Sequence, residues 1–301
     1  MRIIILGSEG FIGSSLVRHF KAKSWDVSGC DLYDKPSTTY NYFKISRSSL
    51  QFENIFIKDK YDACINASGS GNVNYSVTNP LEDFELNTFD TIRILDAIRK
   101  YNSDCRYVHI SSAAVYGNPE NLPVSELASC NPLSPYGWHK LMAEQLCKEY
   151  VSLYDLKIVI TRPFSIYGNG LKKQLFWDIY QKYISDPTKI TLWGSGEESR
   201  DFIHIDDVVH SMELILQKAP MKAEVYNIAS GNETLIKDVV MQFFSSMPLM
   251  PKIIFNNETR SGDPRNWKAD ISNLRALGFL PGVHLQAGIQ NLAEWLLQPG
   301  L

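Results

Sequence analysis

A chain of 301 residues, 44% of them hydrophobic, can bury a full core without a disulfide scaffold. Its net charge of −3 and pI near 6.1 leave no basic footprint for nucleic acid, so the expected partner is a small molecule. Five widely spaced cysteines (Cys30, Cys64, Cys105, Cys130 and Cys147) form no metal-binding or redox motif, and no apolar run approaches the ~18 residues of a membrane span. Reduced thiols and a cytoplasmic location away from membranes are expected.

The first half alternates short β-branched runs with amphipathic stretches. A strand over Ile3–Leu6, a helix from Ser14 to Lys23, and a strand over Asp26–Asp31 are followed by a strand over Tyr61–Ala67 and a helix from Leu81 to Tyr101. Tyr107–Ser111 reads as the next strand, Tyr136–Tyr154 as a long helix, and Lys157–Arg162 as a further strand. This alternation predicts an α/β fold, a doubly wound parallel sheet of the Rossmann type. Beyond Tyr167 the pattern is interrupted at Gly168, Gly170, Pro187, Gly194 and Gly196, which predicts a smaller second lobe. The expected division is residues 1–166 and 167–301, with residues 205–230 returning to the sheet through the strand Glu224–Ile228.

Directly after the first strand comes Gly7-Ser8-Glu9-Gly10-Phe11-Ile12-Gly13, opening a helix. Glycines at this spacing let the chain turn tightly and bring backbone amides, at a helix N-terminus, against a pyrophosphate. Gly7, Gly10, Phe11, Ile12 and Gly13 are therefore expected at a dinucleotide, although an ordinary strand-turn-helix has the same pattern. Asp31 ends the second strand 18 residues after Gly13, where a carboxylate accepts from both adenosine ribose hydroxyls and repels a 2′-phosphate. NAD is favoured, while Lys35 keeps NADP open.

The strand ending in Ser111-Ser112 places adjacent hydroxyls where open α/β sheets carry their chemistry. Twenty-four residues after Ser112, Tyr136 and Lys140 stand four apart on one helical face. Lys140 favours the phenolate of Tyr136, Tyr136 exchanges a proton with a substrate hydroxyl, and Ser112 orients the same oxygen. Tyr40 and Lys44 have the same spacing but no serine strand before them, and are expected to contribute loop packing.

Together, Gly7/Gly10/Gly13, Asp31, Ser112, Ala114-Val115-Tyr116-Gly117, Tyr136/Lys140 and the run from Arg200 to Asp207 resemble the extended short-chain dehydrogenase/reductases, the NAD-dependent epimerase/dehydratase family. The resemblance spans nearly the whole chain. It implies an NAD-binding domain, a C-terminal lobe for a nucleotide-diphosphate sugar, and a homodimer built on a four-helix bundle from the Leu81–Tyr101 and Tyr136–Tyr154 helices. By the same resemblance Asn87 supports the central helix, Asn66-Ala67-Ser68 puts Ala67 beside the cofactor, and Tyr136 and Lys140 contact it as well. Ser165 stands where the family often carries an asparagine on the sugar nucleotide. Arg200 and Arg260 match arginines that clamp the substrate diphosphate, the alternative for each being a surface salt bridge. The family's acidic residue beside the adenine is not evident near Phe43–Ser46.

Sugar dehydratases of the family follow the serine or threonine with an Asp-Glu pair, and here those positions are Ala113 and Ala114. The resemblance therefore implies hydride chemistry alone: an NAD-dependent epimerase working by transient oxidation at a sugar carbon, expected to be C4. The alternatives are an NAD(P)H-dependent reductase of a nucleotide-linked 4-keto-6-deoxy sugar and, in another class, a non-catalytic dinucleotide sensor. No metal is expected: His204 with Asp206 and Asp207 fits no familiar ligand spacing, and the aspartates read as helix caps beside a packed histidine. His139 is expected to be exposed or packed and not a catalyst.

Overall fold

The computed structural model describes residues 1–33, 39–47, 51–258 and 264–298. In chain order β1 (Arg2–Leu6) leads to α1 (Phe11–Ala22), β2 (Asp26–Asp31), β3 (Asn41–Lys44), α2 (Glu53–Lys58) and β4 (Ala63–Asn66). Two short helices, α3 (Val73–Thr78) and α4 (Pro80–Phe84), a π-helical turn over Glu85–Phe89 and α5 (Asp90–Tyr101) precede β5 (Arg106–Ile110). A 3-10 turn, Ala113–Tyr116, and the long helix α6 (Pro135–Tyr154) bring the chain to β6 (Ile158–Pro163). There follow β7 (Ser165–Tyr167), α7 (Gln174–Ser185), β8 (Lys189–Leu192), β9 (Ser199–Arg200), β10 (Phe202–His204), α8 (Ile205–Lys218) and β11 (Lys222–Ile228). The chain closes through β12 (Thr234–Leu235), α9 (Ile236–Ser245), β13 (Lys252–Phe255), α10 (Ser272–Ala276) and α11 (Leu285–Leu296).

Seven strands form one sheet in the order β11-β6-β5-β4-β1-β2-β3, every pair parallel. The reason lies in β1, whose successive isoleucines serve both faces. Ile3 and Ile5 pack with Leu16, Phe20, Val208 and Met212 under α1 and α8, and Ile4 and Leu6 pack with Phe56, Ile94, Ile98 and Cys147 under α2, α5 and α6. Each such side chain, fully withdrawn from water, stabilises the fold by about 1.5–3 kcal/mol, and a strand buried on both faces is what a parallel sheet requires. The expected return to the sheet is made by β11, in register with β6.

Two boundaries differ from the sequence reading. The first helix starts at Phe11 rather than Ser14, because the glycine turn itself forms its first turn and hides the apolar period. The helix expected to run unbroken from Leu81 to Tyr101 is opened at Glu85–Phe89, where the wider turn holds Asn87 inward and its Nδ2 donates to Asp83 Oδ1 at 3.1 Å. The strand β3 and the helices α2 and α3 were not expected.

The chain leaving the C-terminal ends of β6 and β11 builds a second core, in which Phe176, Phe202, Phe243 and Phe244 pack with Tyr167. Asp201 joins the parts. Its carboxylate accepts from Ser230 N and Oγ, Gly231 N and Ala269 N, at 2.8–3.1 Å, and ties the link between β9 and β10 to the turn after β11 and to Ala269. Cys30, Cys64, Cys105 and Cys147 are buried free thiols, and Cys130 is half-buried, as expected. Among the described residues no helix is long and apolar enough to cross a membrane.

Candidate active site

At the end of β1 the chain turns through Gly7, at φ +76°, where Gly7 N donates to Cys30 O (2.7 Å) and Gly10 N to Gly7 O (3.1 Å). A Cβ on Gly7 would lie 2.7 Å from Ala67 O, and one on Gly13 only 1.9 Å from Gly7 O. The absent side chains are what allow β1, β4 and α1 to meet. Gly10 offers no side-chain cap, so no side chain of the cap occupies the amides opening α1 at Phe11 and Ile12, an arrangement that suits a pyrophosphate. Asp31 is built into the same turn: Oδ2 accepts from Glu9 N (2.9 Å) and Oδ1 from Leu32 N (2.7 Å). Its carboxylate thus stands beside the glycine cradle, as a ribose-binding acid must. These residues fit NAD. Lys35, on which the NADP alternative rested, lies outside the described residues.

Gly13→Ala tests that cradle. Since the added methyl group meets backbone and not a flexible side chain, purified G13A is expected to carry almost no NAD; a wild-type NAD content would show that the turn holds no cofactor.

Tyr40 supports the turn from outside, its hydroxyl 2.5 Å from Glu9 Oε1 and 3.4 Å from Ser8 Oγ. It packs beside the glycine loop, in keeping with its expected role. Ala67 extends β4, with its N donating to Leu6 O (2.9 Å), and Asn66 Oδ1 receives Ser68 N and Oγ (3.2 and 2.5 Å).

Ser112 follows β5 and caps the 3-10 turn, its Oγ accepting from Ala114 N at 3.1 Å. Helix α6 begins opposite: Ser134 Oγ accepts from Gly137 N (3.2 Å), Pro135 takes the first helical position, and Tyr136 N donates to Ser76 Oγ (3.1 Å). Gly137 permits the approach, since a Cβ there would lie 2.8 Å from Ala114 O. The result is that the Ser112 hydroxyl lies near the Tyr136 phenol and eases its ionisation. Lys140, one turn on, donates Nζ–H to Ile110 O at 2.9 Å, with Nζ 6.0 Å from the Tyr136 ring centre. Ser112, Tyr136 and Lys140 are therefore brought together.

Burial sets the electrostatics. It pushes the Tyr136 phenol up to about 12, with the Ser112 hydrogen bond lowering it and the Asp83 charge raising it. Burial pulls Lys140 down to about 8, with Asp83 opposing and Lys173 reinforcing that fall. Neither Asp83 nor Lys173 is apparent from the sequence motifs. Asp83 lies in the featureless start of a helix, and Lys173 reaches the site through the fold, its Nζ 3.3 Å from where a Cβ on Gly71 would stand. His139, expected to be exposed or packed, is half-buried and packed against Phe84, with Nδ1 2.6 Å from Asp83 Oδ2.

The substrate-side residues are less concentrated. Ser165 lies on β7, half-buried, with its N donating to Asp201 O (3.0 Å). Arg200 on β9 donates Nη1–H to Ser199 O (2.8 Å) and Arg265 O (3.2 Å), and its guanidinium lies 5.6 Å from the Trp267 ring centre. Arg260, the other expected clamp, lies outside the described residues. The caps on α8 are reversed from expectation: His204 Nδ1 accepts from Asp206 N (3.2 Å), while Asp207 accepts from Gly282 N and Val283 N (2.8 and 3.2 Å) and ties down the distant turn. An imidazole reaches the Asp206 amide because His204 is the last extended residue before the helix.

A sequence model of the NAD dependent epimerase/dehydratase family matches residues 3–229. A Methanocaldococcus jannaschii protein, named as a candidate UDP-glucose 4-epimerase, is 30% identical, covering 98% of each chain. The dTDP-glucose 4,6-dehydratase of Salmonella typhimurium is 26% identical over 99% of this chain and 93% of its own. Among solved structures, MoeE5 in complex with UDP-glucuronic acid and NAD superposes with a TM-score of 0.89 at 26% identity over 98% of each chain.

Proposed function

Because the chain belongs to the NAD dependent epimerase/dehydratase family, we propose that it is an NAD-retaining nucleotide-sugar epimerase that inverts a sugar carbon, C4, by transient oxidation. One observation carries this reading. The assembled Tyr136, Ser112 and Lys140 suffice for proton exchange at one hydroxyl, while Ala113 and Ala114, in the turn beside them, offer no second acid or base to expel water.

Bound NAD supplies the oxidant for the sugar carbinol and the reductant that returns it. Ser112 Oγ holds the reacting hydroxyl against Tyr136 Oη. Tyr136 takes the hydroxyl proton as the carbonyl forms and gives it back when the other face is reduced, so the residue ends as it began. Lys140, as an ammonium, favours the phenolate and reaches the cofactor ribose. Gly7, Gly10, Phe11, Ile12, Gly13, Asp31 and Ala67 hold the dinucleotide; Ser165, Arg200 and Arg260 serve the nucleotide sugar in a lobe over residues 167–301. Leu81, Phe89, Trp138 and Met142 are large apolar side chains exposed along α4, the π turn and α6, and we assign them to a four-helix contact with a second copy.

The test begins by denaturing freshly purified protein and quantifying the released NAD(H), then supplying UDP-glucose, UDP-galactose and UDP-glucuronic acid to intact enzyme. Near-stoichiometric NAD and interconversion of one 4-epimer pair are expected, from a particle sedimenting at twice the 34.2 kDa chain mass. An empty protein that oxidises added NADH or NADPH with a 4-keto sugar would favour the reductase. Binding of neither cofactor would overturn the reading.

A further inference from the structure

Between the 3-10 turn that Ser112 opens and the strand that carries Arg200 runs the segment from Arg265 to Asp270, laced to both. Towards β9, Ser199 N donates to Arg265 O (3.2 Å) and Trp267 N to Ser199 O (3.1 Å). Towards the chain beyond the turn, Arg265 N donates to Asn118 Oδ1 (2.7 Å) and Asp270 N to Val124 O (2.9 Å). One side chain crosses this strip. The Trp267 indole, nearly withdrawn from solvent, donates Nε1–H to Gly117 O at 3.1 Å, while the Arg200 guanidinium lies 5.6 Å from its ring centre.

Gly117 closes the turn at its far end. Ser112 Oγ accepts from Ala114 N at the near end, and Gly117 turns the chain at φ +63°, where a Cβ would lie 2.0 Å from Asn131 O. The bond that its carbonyl receives is buried, where an unpaired acceptor is costly, and the indole N–H is its donor among the described contacts. Packing does not account for that choice of side chain. Phe164 meets the indole edge-on with centres 5.6 Å apart, a contact that calls for an aromatic ring but not for a donor.

A nucleotide sugar is one covalent body, its diphosphate and its reacting carbon a few bonds apart, so the groups that grip the two have to stand in register. We propose that Trp267 is a positioning residue for this reaction: its N–H pins the Ser112 turn while its face seats Arg200, and the diphosphate clamp and the hydroxyl-orienting serine are thereby held at a set separation. This rests on the epimerase reading, in which Arg200 takes the diphosphate and Ser112 the sugar hydroxyl.

Two variants separate the two faces of the indole. Trp267→Phe keeps a ring under Arg200 and loses the N–H. Its calorimetric affinity for UDP and its NAD content are expected to stay at the wild-type values, while kcat for the interconverted sugar nucleotide falls about tenfold through the displaced serine. Trp267→Leu removes the ring as well, and UDP binding is expected to weaken about two- to fivefold besides. A side chain that only packs would lower the unfolding midpoint and leave kcat per folded molecule unchanged in W267F, a result that overturns the proposal. Hydrogen exchange supplies a second readout. UDP carries no sugar to reach Ser112, yet in wild-type protein it is expected to slow amide exchange over residues 113–117, and W267F is expected to speed that exchange while leaving β1 unaffected. Should W267F not fold, wild-type exchange that UDP leaves unchanged overturns the proposal. Failure of wild-type protein to bind UDP or to turn over a sugar nucleotide overturns the functional reading alone, and the brace then falls only if exchange over residues 113–117 is the same in W267F as in wild type.

Discussion

Tyr136→Phe is expected to lower kcat for sugar-nucleotide turnover by about 10²–10⁴-fold, the usual contribution of a positioned acid–base group, while the purified variant still carries NAD. The ring of Tyr136 is buried in the first turn of α6, and phenylalanine fills the same space, so the fold and the cofactor cradle are expected to survive. What is lost is the phenolic hydroxyl, and with it the group proposed to exchange the substrate proton. The pH dependence follows from the same geometry. Burial, opposed by Ser112 and reinforced by Asp83, holds the phenol near 12, so on the proposed mechanism the wild-type rate is expected to rise with pH as the phenol ionises. The rate then falls once Lys140, pulled down to about 8 by burial, gives up its proton. Parallel measurements of kcat and NAD content decide the matter: a Y136F enzyme within a few-fold of wild type would remove Tyr136 from the mechanism.

The sheet was legible because its signal is local. Ile3–Leu6 and Lys157–Arg162 are short β-branched runs bounded by turn residues, and a strand buried on both faces has to look that way. The glycine cradle, Asp31, Ser112 and the Tyr136–Lys140 spacing were legible for the same reason, since each is fixed within one turn or one strand end. What escaped was set by contacts between distant segments. Nothing in Pro80–Phe84 announces that Asp83 is buried; that depends on α6 bringing His139 across 56 residues. The π turn at Glu85–Phe89 escapes a helical period because it is a single turn, too short a stretch for a phase shift to be read from the sequence. Lys173 belongs to a polar pair before α7, and only the path of the chain after β7 brings it near Gly71. The capping of α8 misled in a different way: two aspartates in a first turn look like caps, yet Asp207 serves a turn 75 residues away.

Arg162→Met is expected to destabilise the protein by about 3–5 kcal/mol, the cost of leaving one member of a buried ion pair alone. Arg162 lies on β6 and Glu144 on α6, both nearly inaccessible, joined by paired bonds from Nε to Oε1 (2.9 Å) and Nη2 to Oε2 (2.6 Å). The guanidinium also donates to Glu126 O at 3.2 Å and lies 4.7 Å from the Tyr116 ring centre. Methionine replaces the stem but not the charge, and Glu144 is then left in the core with only Ser111 Oγ as donor among its described bonds. At roughly 2–4 °C per kcal/mol for a chain of this size or slightly smaller, the calorimetric midpoint falls by roughly 10 °C. Adding Glu144→Leu removes the stranded charge, so the double variant is expected to regain more than half of the loss. If R162M alone unfolds within a degree or two of wild type, the pair is a passive contact. The expected partial rescue has a functional corollary. Ser111 is held by Glu144 and is the neighbour of Ser112, so R162M/E144L, though partly restored in stability, loses the side-chain hold on Ser111. Its kcat is expected to fall as well, because the ion pair joins the end of β5 to β6 and α6 next to the serine that must meet Tyr136.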